Sequence, residues 1–201
     1  MSQVRHVNFP SGDITLEGQL HLPDTIPVSG QTPARRGGIV VCHPHPQYGG
    51  DMHNNIVDAI CETAVANGVG EQEDVRAALT YLRELPEADS ERIALAGYSF
   101  GAGVAVHVAS DPDLRALVAV SLPTTMPLEG VTIACPALFV SGDEDEYSDA
   151  DDLTEFVRGL GPQAELRLLP GLGHFWFGVE RDLKEIVAPF LRAHLLGITT
   201  A

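Results

Sequence analysis

The segment 97–101, Gly-Tyr-Ser-Phe-Gly, holds the residue best suited to covalent chemistry, because it fits the pattern G-x-S-x-G around Ser99. An apolar run at 93–96 predicts a strand directly before it, and a run of small residues predicts a helix directly after it. A serine on such a sharp turn has an exposed hydroxyl, and the flanking glycines let the backbone approach closely. The alternative is a serine that caps a helix in a glycine-rich turn. The placement between strand and helix favours Ser99 as a nucleophile.

A serine hydroxyl is a weak nucleophile, so this hypothesis requires an acid and then a histidine further along the chain. The loop 143–146 follows a predicted strand and contains four carboxylates, any of which could orient a base. His174 follows the last predicted strand and lies between a glycine and three aromatic residues. A lone histidine beside aromatic residues is more often a core residue. The position of His174 after both partners nevertheless predicts that it is the base.

Acyl transfer also needs hydrogen-bond donors for the oxyanion of the tetrahedral intermediate. Phe100 supplies the amide that directly follows the predicted nucleophile. A second donor is expected from the segment 43–50, HPHPQYGG, which follows a predicted strand. Because proline has no amide hydrogen, His45, Gln47 and Tyr48 remain as candidates for the oxyanion hole.

The same segment offers a rival interpretation as a metal site. His43, His45, Asp51 and His53 are residue types that bind transition metals. The flanking prolines and paired glycines are more typical of a rigid loop than of ligand spacing. We therefore expect no metal and no organic cofactor, and we keep a histidine-ligated metal hydrolase as the less favoured alternative.

Short β-branched runs alternate with helical patterns, which is typical of an α/β protein with a mostly parallel sheet and helices on both faces. Residues 4–9 and 14–22 flank a turn and predict an antiparallel hairpin at the edge of the sheet. The sequence predicts a single domain over residues 1–201, without room for a large lid. The predicted strands after the hairpin are 39–42, 92–96, 117–121, 137–141 and 165–169, and the predicted helices are 54–66, 71–85, 100–109, 151–160 and 180–195.

Composition excludes several classes of function. The 201 residues carry 28 acidic and 12 basic side chains, a formal charge of -16, which disfavours binding to nucleic acids and to anionic membranes. No apolar run is long enough to span a bilayer, and the first residues do not form a secretory signal. Cys42, Cys61 and Cys135 each lie in an apolar stretch and predict reduced, buried thiols. These features predict a soluble cytoplasmic protein.

Several segments together resemble the α/β-hydrolase superfamily, and within it the small, lidless enzymes similar to dienelactone hydrolase. The likeness covers nearly the whole chain. It is carried by the segments 43–50, 97–101, 142–145 and 173–175 and by Asn54.

The resemblance implies that Ser99 is the nucleophile and His174 the base. It also implies that the acid is Asp145, the last residue of G-x-x-D, rather than Asp143. Dienelactone hydrolases themselves use a cysteine nucleophile, so Ser99 indicates a serine hydrolase of carboxylesterase type acting on a small or medium acyl ester. Thioesters and amides remain alternative substrates. The oligomeric state is left as either a monomer or a homodimer.

A protein of the same fold that only binds a partner is the rival from another functional class. Relatives of that kind are expected to lack one element of the serine, acid and histidine set. This chain contains all three, which favours the enzyme with a small-molecule ester as its partner.

The resemblance also exposes a discrepancy near Asn67. In related proteins another core strand separates the helix ending there from the helix that begins here near Glu71. A right-handed crossover places two such helices on opposite faces of the sheet, about 20 Å apart. Four residue steps reach about 14 Å at most. Either the sheet has closed up after losing a strand, or the sequence as given omits residues that the protein contains between Gly68 and Val69 or nearby.

Overall fold

The computed structural model describes residues 3–22, 36–48, 50–63 and 72–196. Its strands form an antiparallel hairpin, β1 with β2, and a five-stranded parallel sheet in the order β3-β4-β5-β6-β7. The α/β class and the hairpin predicted from sequence are therefore confirmed. The described strands are β1 (Gln3–Ser11), β2 (Ile14–Leu22), β3 (Arg36–Cys42), β4 (Ala88–Tyr98), β5 (Leu114–Val120), β6 (Ala137–Gly142) and β7 (Ala164–Leu169).

Helices cover both faces of the parallel sheet, because each strand must be followed by a crossover before the next parallel strand can pair. Pro86 lies two residues beyond the end of the second helix and prevents its continuation. A short 3-10 helix, Pro46–Tyr48, lies in the loop after β3. The described α-helices are α1 (Asn55–Thr63), α2 (Gln72–Glu84), α3 (Phe100–Val108), α4 (Ala150–Leu160) and α5 (Glu180–Leu196).

The central strands are buried on both faces, as their unbroken apolar sequences predict. Ile39, Val40 and Val41 of β3 have no exposed surface. Alternate side chains of β3 point to two different cores. Val40 packs in the core with α2 and α3, whereas Ile39 and Val41 pack in the core with α1 and α5. The sheet therefore divides the apolar interior into two layers.

The helices α1 and α2 lie on opposite faces of the sheet, as expected from a right-handed crossover. The connection at 64–71, where the discrepancy was identified, lies outside the described residues. Within the described part of the chain, β3 is the outermost strand of the parallel sheet on this side. The hairpin does not pair with it there and instead packs on α2, where the Phe9 and Tyr81 rings stack with centroids 5.1 Å apart. The hairpin was expected at the edge of the parallel sheet, and in the described residues it forms a separate sheet.

The connections after β3, β5, β6 and β7 all leave the carboxyl edge of the parallel sheet. In open α/β sheets this edge carries the ligand site. Residues 121–136, between β5 and β6, contain no helix or strand. No lid therefore covers the edge from this connection.

All three cysteines are buried, and none of them forms a disulfide. Burial raises the pKa of the Cys42 thiol to about 12 and, with smaller contributions from its surroundings, that of Cys135 to about 11. Both stay protonated at neutral pH and are poor nucleophiles. None of the helices in the described ranges combines the length and apolar character that a membrane crossing requires.

Candidate active site

Ser99 lies on the turn between β4 and α3, in the strained conformation that a nucleophile on such a turn requires. Its φ of 55° is in the left-handed region, which costs a residue other than glycine about 1–3 kcal/mol. A Cβ on Gly97 would collide with the Gly101 backbone, and a Cβ on Gly101 would collide with the Cys42 carbonyl. Both glycines of G-x-S-x-G are therefore required by close backbone contacts. The second contact also brings the turn against the end of β3.

His174 reaches this turn from the segment after β7, and 5% of its surface is exposed. Its Nε2 lies 2.9 Å from the Ser99 Oγ, and its Nδ1 lies 2.9 Å from Oδ1 and 3.0 Å from Oδ2 of Asp145. Because a carboxylate only accepts hydrogen bonds, the imidazole donates from Nδ1–H to Asp145. In the neutral tautomer with its proton on Nδ1, Nε2 is an acceptor for the serine hydroxyl.

The structure brings Asp145 to His174 and leaves Asp143 outside the contact. Asp145 is buried, and its Oδ1 also accepts hydrogen bonds from the amides of Tyr147 and Ser148, at 3.0 and 3.1 Å. Asp143 is exposed, and its Oδ1 accepts from the Gly171 amide at 2.7 Å. Asp143 therefore joins the loop after β6 to the loop after β7, and the carboxylate bonded to the imidazole is that of Asp145.

Two opposing effects act on the Asp145 carboxyl. Burial raises its pKa, but hydrogen bonds from the side chains of His174 and Ser121 and from the Tyr147 amide lower it, as does the attraction of His174. The net result is a pKa below its ordinary value. Asp145 is therefore ionised at neutral pH and can hold the imidazole in one orientation and tautomer.

Sequence reasoning did not identify the groups that support His174 and Asp145. The Tyr98 hydroxyl donates to the His174 carbonyl at 2.8 Å, and its ring stacks on the imidazole at 5.5 Å. The Trp176 indole donates to the Ser121 Oγ at 2.9 Å, and the Ser141 Oγ lies 3.4 Å from Asp145 Oδ2. Ser121 directly follows β5 and Ser141 is the second-last residue of β6, so a polar residue at or just after the end of an apolar strand was the available signal.

Two of the predicted oxyanion donors, Phe100 and His45, lie beside the Ser99 turn. Phe100 begins α3, where the first amides have no partner within the helix. The His45 ring contacts the Phe100 ring edge-on, with centroids 4.8 Å apart, which places the loop after β3 next to that amide. Tyr48 ends the short 3-10 helix of the loop. The Gln47 amide donates to the His45 Nδ1 at 3.1 Å, which disfavours Gln47 among the three candidates.

The histidines of the rival metal interpretation make mainly local contacts. His43 Nδ1 lies 2.6 Å from the Pro44 carbonyl, and the His53 amide donates to Asp51 Oδ1 at 2.8 Å. Within the ranges that the structure describes, no three His, Cys, Asp or Glu side chains are grouped so that they could hold a metal ion.

A protein-family model described as the dienelactone hydrolase family matches residues 45–188. The chain is also similar to two curated proteins. An uncharacterised protein of Rickettsia prowazekii is 30% identical over 185 residues, with 76% of this chain and 77% of that protein covered. A probable 2-oxo-3-(5-oxofuran-2-ylidene)propanoate lactonase of a Bradyrhizobium species is 27% identical over 150 residues, with 63% of this chain and 60% of that protein covered.

The alignment to the Rickettsia protein spans 185 residues, which exceeds 76% of a 201-residue chain, so it includes residues of that protein without a counterpart here.

Solved structures share the fold. A lidless α/β serine hydrolase from Xanthomonas campestris has a TM-score of 0.81 at 24% identity, with 96% of this chain and 95% of that chain covered. An α/β serine hydrolase homologue from Coxiella burnetii has a TM-score of 0.77 at 25% identity, with 92% of this chain and 95% of that chain covered.

Proposed function

The chain belongs to the dienelactone hydrolase family and is a hydrolase, and from that premise we propose that it is a serine hydrolase of carboxylesterase type. The observation that carries the proposal is the uninterrupted series of hydrogen bonds from Ser99 through His174 to Asp145. A serine nucleophile, a neutral imidazole and an orienting carboxylate are the three groups that acyl transfer by a serine hydrolase requires.

In the proposed mechanism, His174 Nε2 takes the proton of the Ser99 hydroxyl as Oγ attacks the ester carbonyl carbon. The proton then passes to the alcohol oxygen as the bond between carbonyl carbon and alcohol oxygen breaks, which leaves an acyl group on Ser99. A water molecule, deprotonated by the same imidazole, releases the acid and restores the serine. Asp145 stabilises the imidazolium in both steps.

The Phe100 amide is the first proposed oxyanion donor, because it follows the nucleophile at the positive end of α3. The second donor is proposed to come from the loop after β3, through the backbone of His45 or Tyr48. The collision that a Cβ on Gly50 would make with the Pro44 carbonyl indicates how tightly this loop is folded. A rigid loop suits a donor that must be in position before the reaction.

The proposed substrate is a small or medium acyl ester. The irregular connection 121–136 forms no lid, so the proposed site opens to solvent, and activation at a lipid surface is not required. Neither a metal nor an organic cofactor takes part in the proposed steps.

The test is covalent labelling by a fluorophosphonate together with hydrolysis of p-nitrophenyl esters of graded chain length. We expect Ser99→Ala to abolish labelling and to lower the rate by about 10⁴-fold or more. Ser90→Ala is the matched control, because Ser90 is an exposed serine near the opposite end of β4. If the wild-type protein is not labelled by the fluorophosphonate and hydrolyses none of the esters, the result would favour a non-catalytic binding function instead.

A further inference from the structure

Two exposed aromatic rings contact the imidazole of His174 and a third stacks on one of them, and the proposed mechanism does not use these rings. The centroids of the Tyr147 and Phe175 rings lie 4.7 and 5.4 Å from the imidazole centroid. Phe177 stacks on Phe175 at 5.9 Å with an interplanar angle of 13°. The exposed fractions are 49% for Tyr147, 51% for Phe175 and 80% for Phe177. We call these three side chains the ring patch.

The backbone holds two of these rings in solvent by burying the residue between them. Trp176 is 1% exposed, and its indole is hydrogen-bonded to Ser121. Its φ of 53° lies in the left-handed region, which is unusual for a bulky residue. The turn therefore anchors itself on Trp176 and presents Phe175 and Phe177 outward. Exposed apolar rings on an anchored turn next to a nucleophile are typical of a binding surface.

The chemistry of acylation decides which half of an ester meets the ring patch. The proton on His174 Nε2 is passed to the leaving alcohol oxygen, so that oxygen must approach the imidazole. The carbonyl oxygen faces instead toward the Phe100 amide. The alcohol group therefore extends past His174, where Tyr147 and Phe175 flank the ring.

The charge around the site favours uncharged substrates. The four connections at the carboxyl edge, 43–54, 121–136, 143–149 and 170–179, contain no lysine or arginine and carry seven aspartates and glutamates. Burial raises the pKa of Tyr98, with smaller contributions from the nearby carboxylates of Asp145 and Glu146. A substrate carboxylate in this field would be repelled.

We propose that the ring patch is the specificity surface for the alcohol half of the ester, and that the enzyme selects uncharged esters of flat, apolar alcohols over carboxylate-bearing esters and lactones. This inference rests on the proposed function and adds the substrate class to it.

The first experiment compares kcat/KM for benzyl acetate and propyl acetate, because the two share an acyl group and have alcohols of similar acidity. Removing a stacked ring is expected to lower the ratio of the two values about fivefold in Phe175→Ala and in Phe177→Ala. Phe177→Tyr keeps the ring and should keep the ratio. Ile14→Ala, which removes a hydrophobic side chain that is 59% exposed on the hairpin, is the matched control.

The second experiment replaces benzyl acetate with 4-carboxybenzyl acetate. We expect wild-type kcat/KM to fall about tenfold at low salt and the difference to shrink as salt screens the loop carboxylates. A benzyl-to-propyl ratio that stays within about twofold of wild type in both alanine variants, or equal rates for the charged and uncharged esters, would overturn the inference. A wild type that reacts with the fluorophosphonate but hydrolyses neither acetate would overturn this inference alone, whereas a wild type that also fails to react with the fluorophosphonate and to hydrolyse any p-nitrophenyl ester would overturn the proposed function as well.

Discussion

Two polar clusters lie at the carboxyl edge of the sheet, and they differ in where their partners come from. In the serine cluster, Ser99, Asp145 and His174, the bonded residues are 75 and 29 positions apart in sequence and mostly buried. In the histidine cluster, His43, Asp51 and His53, the shortest contacts join residues one or two positions apart. Its contact with a distant residue, Gln19 to His53, is a long 3.4 Å.

The difference shows what each cluster requires from the fold. The histidine cluster borders a cavity of about 390 Å³ between the hairpin and the loop after β3, and the loop satisfies most of its polar groups locally. The serine cluster exists only when three separate connections are held together. We therefore propose that the serine cluster carries out the catalysis. The histidine cluster is proposed to stabilise the fold of its own loop.

Replacing one histidine from each cluster gives the largest contrast. We expect His174→Ala to lower kcat/KM for ester hydrolysis by about 10⁴-fold or more, because Ser99 loses its base. His53→Ala should stay within about threefold of wild type, since His53 is exposed and lies outside the hydrogen bonds to Ser99. Equal losses in steady-state assays of the two variants would remove the distinction between the clusters.

A smaller but still large contrast is expected within the acidic loop. Asp145→Asn should lower kcat/KM about 10³-fold to 10⁴-fold, because an amide cannot hold the imidazole in the required tautomer. Asp143→Asn keeps an oxygen that can accept from the Gly171 amide and should stay within about threefold. If Asp143→Asn were the damaging change, the carboxylate would be wrongly assigned despite its distance to His174.

The serine cluster should also affect how the free energy of unfolding changes at low pH. Asp145 has a lower pKa when folded than its ordinary value of 3.8, so the folded state binds fewer protons at this group. Its stabilising contribution is present above that ordinary value and is lost as the pH falls through the folded pKa. Urea unfolding should show the free energy of unfolding of wild type falling more steeply below pH 4 than that of Asp145→Asn. Parallel curves for the two proteins would contradict this.

The smallest effect is expected from metal removal. If the histidine cluster only stabilises the loop after β3, EDTA should leave the rate of ester hydrolysis unchanged, and elemental analysis should find no stoichiometric metal. Loss of activity restored by added zinc would instead support the metal hydrolase and reverse the assignment of the two clusters.

Much of the architecture could be predicted from local sequence. The run 39–42 predicted a buried strand because it is apolar throughout, and β3 ends at Cys42 as expected. The strand before Ser99 was predicted from 92, but β4 begins at Ala88. Its polar first residues lack the apolar signal, and Ala88 pairs with Arg36 before the register shifts. Pairing with β3 therefore extends β4 toward its amino end, beyond the point at which the local apolar pattern begins.

The sequence by itself determined the Ser99 turn, because a strand, two glycines and a helix start are all encoded within a few residues. It could not choose among the four carboxylates of 143–146, which are chemically alike and adjacent, and only the family resemblance indicated Asp145. The structure separates them by burial: Asp145 turns inward toward His174 and the ends of β5 and β6, while its three neighbours face solvent. The contacts of Tyr98, Ser121 and Trp176 could not be predicted from the local sequence either. Hydrogen bonds between residues far apart in sequence arise only when the strands pack side by side.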